Sequence, residues 1–225
     1  MSGQDQGLVG RMVGGMIRRS VRKQFKAIYW NPPVIPIEPP AIFFSNHHGW
    51  HDGYVLYHLV SKLGLRSVDW IIEYDAFPLF AAVGGLPFPR NDVSGRAATI
   101  RQTIRLMRDE GRSLVIFPEG ELHYPDEVWP FGRALALVAE RGGAKTLQPV
   151  AIRYEMAMQE RPEVFLRLAA PIAPGPHLEA RCREAVVHTL EELTRDIRVR
   201  RDSFEVLARG TDSVNERLDM RKFRR

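Results

Sequence analysis

Ala41-Ile42-Phe43-Phe44-Ser45-Asn46-His47-His48-Gly49-Trp50-His51-Asp52 is the stretch on which the fold turns. Its first five residues form a short, nearly unbroken apolar run, the pattern of a strand covered on both faces. Polar and imidazole-bearing residues follow at once, and from Trp50 to about Leu63 the spacing predicts a helix. Strand, polar turn and helix make up half of a βα unit, and the rest of the chain repeats that alternation.

Toward the C-terminus, Val68–Tyr74 is strand-like and a short apolar segment at 76–83 is read as helical. A brief strand after Gly84-Gly85 ends at Arg90. Asp92 or Ser94 can cap a helix that runs to Glu110 and closes at Gly111. Ser113–Phe117, Leu147–Arg153 and Val164–Ala169 read as strands, while Phe131–Arg141 and His177–Arg200 read as helices. The last twenty residues are expected to form a polar helix or to fray. The alternation predicts an α/β fold, a single domain with a mixed, mostly parallel sheet flanked by helices.

Toward the N-terminus, residues 8–29 place Leu8, Val9, Met12, Val13, Met16, Ile17, Val21, Phe25 and Ile28 at helical spacing, with basic groups between them. This predicts a basic amphipathic helix, a form that can pack on a domain or lie in a membrane interface. Asn31-Pro32-Pro33 ends it, and Pro36, Pro39 and Pro40 predict an extended linker. The expected organisation is a surface helix over 1–30, a linker over 31–40, the main domain over 41–200 and a basic tail over 201–225.

At 225 residues, with 44% hydrophobic and 26% charged residues, the chain can bury a full core and lies outside the disordered class. Its one cysteine, Cys182, excludes a disulfide framework and is read as structural. No run of eighteen apolar residues occurs, so no spanning helix is expected, and no signal peptide is expected either. The net charge of +5 is unevenly distributed. Residues 1–30 hold six basic groups against one acidic, and residues 195–225 hold ten against six, whereas 31–194 is slightly acidic with sixteen against twenty. No nucleic-acid recognition motif accompanies those basic ends, so nucleic acid is not an expected partner.

Three segments carry candidate chemistry. In a regular helix His47 and Asp52 would point apart, but with His47 on the turn and Asp52 in the first helical turn they can meet. A carboxylate on one imidazole nitrogen leaves the other free as a general base. The same residues admit two other readings, a zinc site built from His47, His48, His51 and Asp52 or a structural turn. Phe117-Pro118-Glu119-Gly120 ends a strand, where catalytic groups of α/β sheets gather, although Pro-Glu-Gly also makes an ordinary turn. Gly85-Leu86-Pro87-Phe88-Pro89-Arg90 places an arginine where it can bind an anion or simply face solvent.

Together these segments resemble the glycerolipid (lysophospholipid) acyltransferase superfamily, of the 1-acylglycerol-3-phosphate acyltransferase-like type. Its Asn-His and Asp separated by four residues match Asn46, His47 and Asp52. Its Gly-x-x-Phe-x-Arg resembles Gly85, Phe88 and Arg90, and its Phe-Pro-Glu-Gly resembles Phe117–Gly120. A Pro-containing apolar strand resembles Leu147–Ile152 with Pro149. The N-terminal amphipathic helix is also typical of the family, which favours the membrane-surface reading of residues 8–29. The resemblance implies transfer of an acyl group from acyl-CoA or acyl carrier protein to a lipid hydroxyl. His47 would be the base, Asp52 its orienting group, and Arg90, Phe117, Pro118, Glu119 and Gly120 would line the acceptor site. It implies no metal or redox cofactor and a peripheral position on the cytoplasmic face of a membrane.

Two departures qualify the match. Gly49 stands where the family commonly has Ser, and Glu121-Leu122-His123 stands where it usually has Thr-Arg-Ser. Losing an arginine and adding a carboxylate should weaken binding of a phosphate on the acceptor, unless Arg133 or Arg90 compensates. A non-phosphorylated hydroxyl acceptor therefore stands open beside a lysophospholipid. Rival expectations are a catalytically impaired lipid-binding protein on the same scaffold and a metal-dependent hydrolase.

Overall fold

In the computed structural model of the protein, which describes residues 7–33, 35–125, 127–156 and 160–218, the run at 41–45 is a strand buried at every position. In chain order, helix α1 (Leu8–Gln24) leads into strands β1 (Ala27–Asn31) and β2 (Ala41–Ser45), then α2 (Asp52–Lys62) and β3 (Ser67–Ile71). Two 3-10 turns, Tyr74–Ala76 and Pro78–Val83, precede β4 (Gly85–Pro87) and α3 (Val93–Glu110). Next come β5 (Ser113–Ile116), α4 (Ala134–Arg141), β6 (Thr146–Glu155), β7 (Glu163–Leu168) and α5 (Leu178–Val199). A last strand, β8 (Glu205–Arg209), is followed by the short helix α6 (Val214–Arg217).

The strands form one sheet in the order β4-β3-β5-β2-β6-β7-β1-β8. From β4 through β6 every pairing is parallel, as is β1 with β7, while β6–β7 and β1–β8 are antiparallel. Alternation along β2 splits the core between the two faces of this sheet. Phe43 joins Val55, Leu56 and Leu59 of α2 and Val21 of α1 on one face. Ile42 and Phe44 join Met107 of α3, Leu135 and Val138 of α4, and Val186 of α5 on the other. A central strand enclosed in this way must be apolar throughout, and truncating either phenylalanine to alanine would cost about 3–5 kcal/mol. Cys182 lies in the second cluster, where burial pushes its thiol up to about 12, as suits a packing residue.

The helix expected over 8–29 ends at Gln24, because residues 27–31 extend and pair with Glu163–Arg167 of β7 on one side and with β8 on the other. Apolar spacing alone could not distinguish a longer helix from a helix followed by a strand buried on both sides. The sheet therefore runs from residue 27 to residue 209, beyond the expected domain limits of 41 and 200. The expected basic tail contributes β8, and Lys26 anchors the segment beyond that strand through Asp212 at 2.7 Å and Glu216 at 2.6 Å. Residues 219–225 of that tail lie outside the described residues. α1 buries Val13, Ile17 and Val21 and leaves Leu8, Val9, Met12 and Met16 exposed, so its apolar stripe is wider than its packing requires.

Candidate active site

The parallel strands β2 and β5 lie side by side with Phe44 opposite Ile116, so the segments leaving their C-terminal ends meet. Asn46 prolongs the ladder with its side chain. Its Oδ1 accepts from the Ile152 N–H at 2.9 Å and its Nδ2 donates to the Ile152 carbonyl at 3.0 Å. Backbone pairing stops there, which frees His47 to turn out of the sheet. Asp52, fully buried, opens α2, where the helix dipole favours its negative charge. Turn followed by helix brings the two together, with His47 Nδ1 2.9 Å from Asp52 Oδ2.

Both carboxylate oxygens of Asp52 are held. Oδ2 also accepts from the Gly49 N–H at 2.9 Å, and Oδ1 accepts from the Tyr154 hydroxyl at 2.5 Å. Burial and the neighbouring carboxylate raise the Tyr154 phenol well above its ordinary value, so it stays a neutral donor. Tyr154 carries no motif signal in the sequence, yet it accounts for one departure. A Cβ at position 49 would stand 2.4 to 2.7 Å from three atoms of the Tyr154 ring and hydroxyl. The space a side chain at 49 would need is taken by the phenol that bonds Asp52.

His47 is fixed from three further directions. Its ring stacks on Phe117 with centroids 4.2 Å apart, its N–H donates to Glu119 Oε1 at 2.7 Å, and its carbonyl accepts from the His123 N–H at 3.3 Å. With Nδ1 engaged by Asp52, Nε2 is the remaining basic nitrogen of a ring on the wall of a cavity of about 560 Å³. Glu119 is more deeply committed than an acceptor-shaping role requires. Besides His47 it accepts from the Trp129 N–H at 2.5 Å and from His123 Nε2 at 2.8 Å, and its side chain is fully buried. Gly120 adopts φ of 80°, the left-handed turn that a side chain resists, and Pro118 accepts from the Gly132 N–H at 2.9 Å. Phe117 through Gly120 all line the cavity.

Arg90 reaches the same cavity, but its guanidinium pairs at 3.2 Å with Glu121, the added carboxylate of the altered motif. Arg133 is exposed and is not among the lining residues. His47, His48, His51 and Asp52 do not converge as a ligand set. His51 packs against Phe25, Trp50 and Tyr54, and His48 turns to Asn46 and the Glu127 carbonyl. A different trio, His48, Glu119 and His123, brings ligand-type atoms within 4.8 Å of one another. Each of these groups is already hydrogen-bonded within the protein. His123 faces two acceptors, the Tyr124 carbonyl and Glu119, and both bonds form together only on a ring protonated at both nitrogens. In this arrangement the hydrogen bonds of Glu119 and His123 brace the loop that follows β5.

Aromatic side chains dominate the cavity wall, among them Trp50, Tyr54, Trp70, Phe80 and Phe88, with Trp70 stacked on Phe88 at 4.4 Å. One lining group stands out that no sequence motif marks. Asp69 of β3 has an Oδ1 shielded from solvent without a hydrogen-bond partner, and burial pushes its carboxyl up to about 7.

Comparisons with known proteins bear on the family and the fold. A family model described as Acyltransferase matches residues 26–153. A lyso-ornithine lipid O-acyltransferase of Pseudomonas aeruginosa is 34% identical over 119 residues, which cover 51% of this chain and 43% of that protein's length. The crystal structure of the 1-acyl-sn-glycerophosphate (LPA) acyltransferase PlsC from Thermotoga maritima superposes with a TM-score of 0.61. That match covers 82% of this chain and 79% of the other, at 20% identity, a likeness of fold.

Proposed function

Since the chain belongs to the acyltransferase family, we propose that it moves a fatty acyl group from a thioester carrier to a hydroxyl of a lysolipid at a membrane surface. The observation that carries this reading is the His47–Asp52 contact at 2.9 Å on the wall of a large aromatic cavity. His47 Nε2 takes the proton of the acceptor hydroxyl as its oxygen attacks the thioester carbonyl. The tetrahedral adduct collapses, the carbon–sulfur bond breaks, and the departing thiolate receives that proton from the imidazolium. Asp52 keeps Nδ1 protonated and balances the charge that develops on the ring. Acyl-CoA or acyl carrier protein would serve as donor, and this chemistry requires neither metal nor redox cofactor.

Support for a membrane surface comes from exposed apolar side chains on the elements that line the cavity. Among the described residues no helix is long and apolar enough to cross a membrane. α1 packs against the turn at 78–83, and its exposed Met12 and Met16 are joined by exposed Phe77 and Leu79 there and by Trp50 on the cavity wall. Scattered exposed apolar residues mean little, but a group around a site for an acyl chain fits an interfacial protein. The acceptor named for the Pseudomonas relative, a lyso-ornithine lipid, agrees with a cavity wall that, among the described residues, offers no free cation to a phosphate.

The decisive test is His47→Ala, assayed with acyl-CoA or acyl carrier protein against lyso-ornithine lipid and lysophosphatidic acid. Turnover should fall by at least about a hundredfold, while vesicle binding persists. A purified variant that keeps more than a few per cent of wild-type turnover would remove His47 as the base.

A further inference from the structure

Among the described residues, the charges lining the cavity are unbalanced. Three carboxylates, Asp69, Glu73 and Glu119, face a single guanidinium, Arg90, which Glu121 already neutralises. Glu119 is consumed by its three donors. Asp69 is not: no donor reaches its Oδ1. An unpaired acceptor in such a place costs free energy that a folded protein seldom tolerates without a use. Its immediate surroundings offer no permanent countercharge, since the influences that favour its anion are His47 and the Trp70 backbone N–H, and both are outweighed by burial.

We infer that Asp69 binds a positively charged nitrogen, an ammonium on the head group of the acceptor lipid, while the acceptor's hydroxyl lies at His47. This rests on the acyl-transfer reading and gives its acceptor a chemical class, an amino-lipid instead of a phospholipid. The spacing suits one head group. Asp69 is on β3 and His47 follows β2, with only β5 between them. Two strand spacings amount to about 10 Å across the sheet. Asp69 lies level with Phe43 through Val115, and His47 follows four residues on. Both are on the wall of the same cavity, which a head group with a hydroxyl and an amine would enter. The Trp70 and Tyr54 rings on the same wall add faces to which a cation is attracted. A phosphate in the same place would meet Asp69 and Glu73 with no free cation to balance it.

The test uses the full chain and three acceptors: lyso-ornithine lipid, the same lipid with its amine acetylated, and lysophosphatidic acid. Wild-type kcat/KM should favour the free amine over its acetylated form by about tenfold to a hundredfold, the range for a hydrogen bond to a charged group. Asp69→Asn should erase that preference, mainly through KM. Equal losses on both acceptors would reduce Asp69 to a structural role, and a wild-type preference for lysophosphatidic acid would overturn the inference. Should no acceptor be turned over, the acyl-transfer reading fails by itself. Binding of lyso-ornithine lipid micelles, followed by sedimentation, then decides about Asp69. Weakened binding in Asp69→Asn sustains it, and undiminished binding ends it.

Discussion

Asp69→Asn also isolates what an unpaired carboxylate on the cavity wall does to stability. In the folded protein the group titrates near 7, whereas its ordinary value is 3.8. Between those values the folded protein holds a proton that the unfolded chain has released. The unfolded state binds fewer protons, so stability falls as pH rises, at about 1.4 kcal/mol per pH unit. Across the whole window the loss reaches about 4 kcal/mol, complete above pH 7 and absent below pH 4. Asparagine carries no such proton. The unfolding free energy of Asp69→Asn minus that of the wild type should be flat in acid, climb by about 4 kcal/mol toward pH 7, and level off. At this chain length that equals roughly 8–16 °C in Tm. The difference is essential because His58, buried with an unpartnered Nε2 near Arg18 and lowered to about 4, acts in the opposite sense. Its unfolded form takes up a proton first as pH drops below 6.5, so acidification destabilises both proteins equally and the effect cancels. Urea unfolding from about pH 3 to about pH 8.5, followed by circular dichroism, provides the curve. A difference constant across that range, or one that shrinks with rising pH, would refute the buried, uncompensated state of Asp69.

Two other perturbations probe separate parts of the site. Tyr154→Phe removes the donor on Asp52 Oδ1 and leaves the ring in place against Gly49, so kcat should drop about tenfold to a hundredfold with little change in acceptor KM; unchanged kcat would make Tyr154 a packing residue only. Met12→Gln with Met16→Gln alters two exposed positions of α1, and affinity for anionic vesicles should weaken at least about tenfold without loss of fold; identical vesicle binding would place the membrane contact elsewhere.

How far the fold and the site were legible in the sequence depends on the range over which each signal acts. The βα alternation was legible because burial writes itself into local periodicity, and the boundary of α3 was legible because Asp92 caps it by accepting from the Gly95 N–H at 2.9 Å. Strand β1 was hidden inside an apparently continuous helical pattern, since its partners lie more than a hundred residues downstream in β7 and β8. The meeting of His47 with Asp52 could be foreseen as permitted, because a turn ahead of a helix is a local matter. Tyr154 could not, since its approach to Asp52 depends on β6 continuing to Glu155 beside β7, past the end of its pairing with β2 at Val150. Asp69 reads in sequence as one polar residue in an apolar strand, and only the closure of the cavity around it shields it from solvent.

The departures from the family's motifs belong together physically. Gly49 lacks the side chain that would collide with Tyr154, and Tyr154 fills that space with a hydroxyl that grips the orienting carboxylate. Glu121 occupies the guanidinium of Arg90. His123, two residues on, places a ring between the Tyr124 carbonyl and Glu119 and so holds the loop that clamps the His47 backbone. The first exchange secures the base with a hydrogen bond from within the fold. Leu122 in the place of the family's usual arginine and Glu121 on the Arg90 guanidinium leave the cavity without a free cation among the described residues, while Asp69 stays on its wall. The dyad, an imidazole and a carboxylate in contact at 2.9 Å beside Phe117, is intact in the same site. On the acyl-transfer reading, an intact dyad beside a cavity poor in free cations among the described residues fits a reaction that persists on an acceptor without a phosphate.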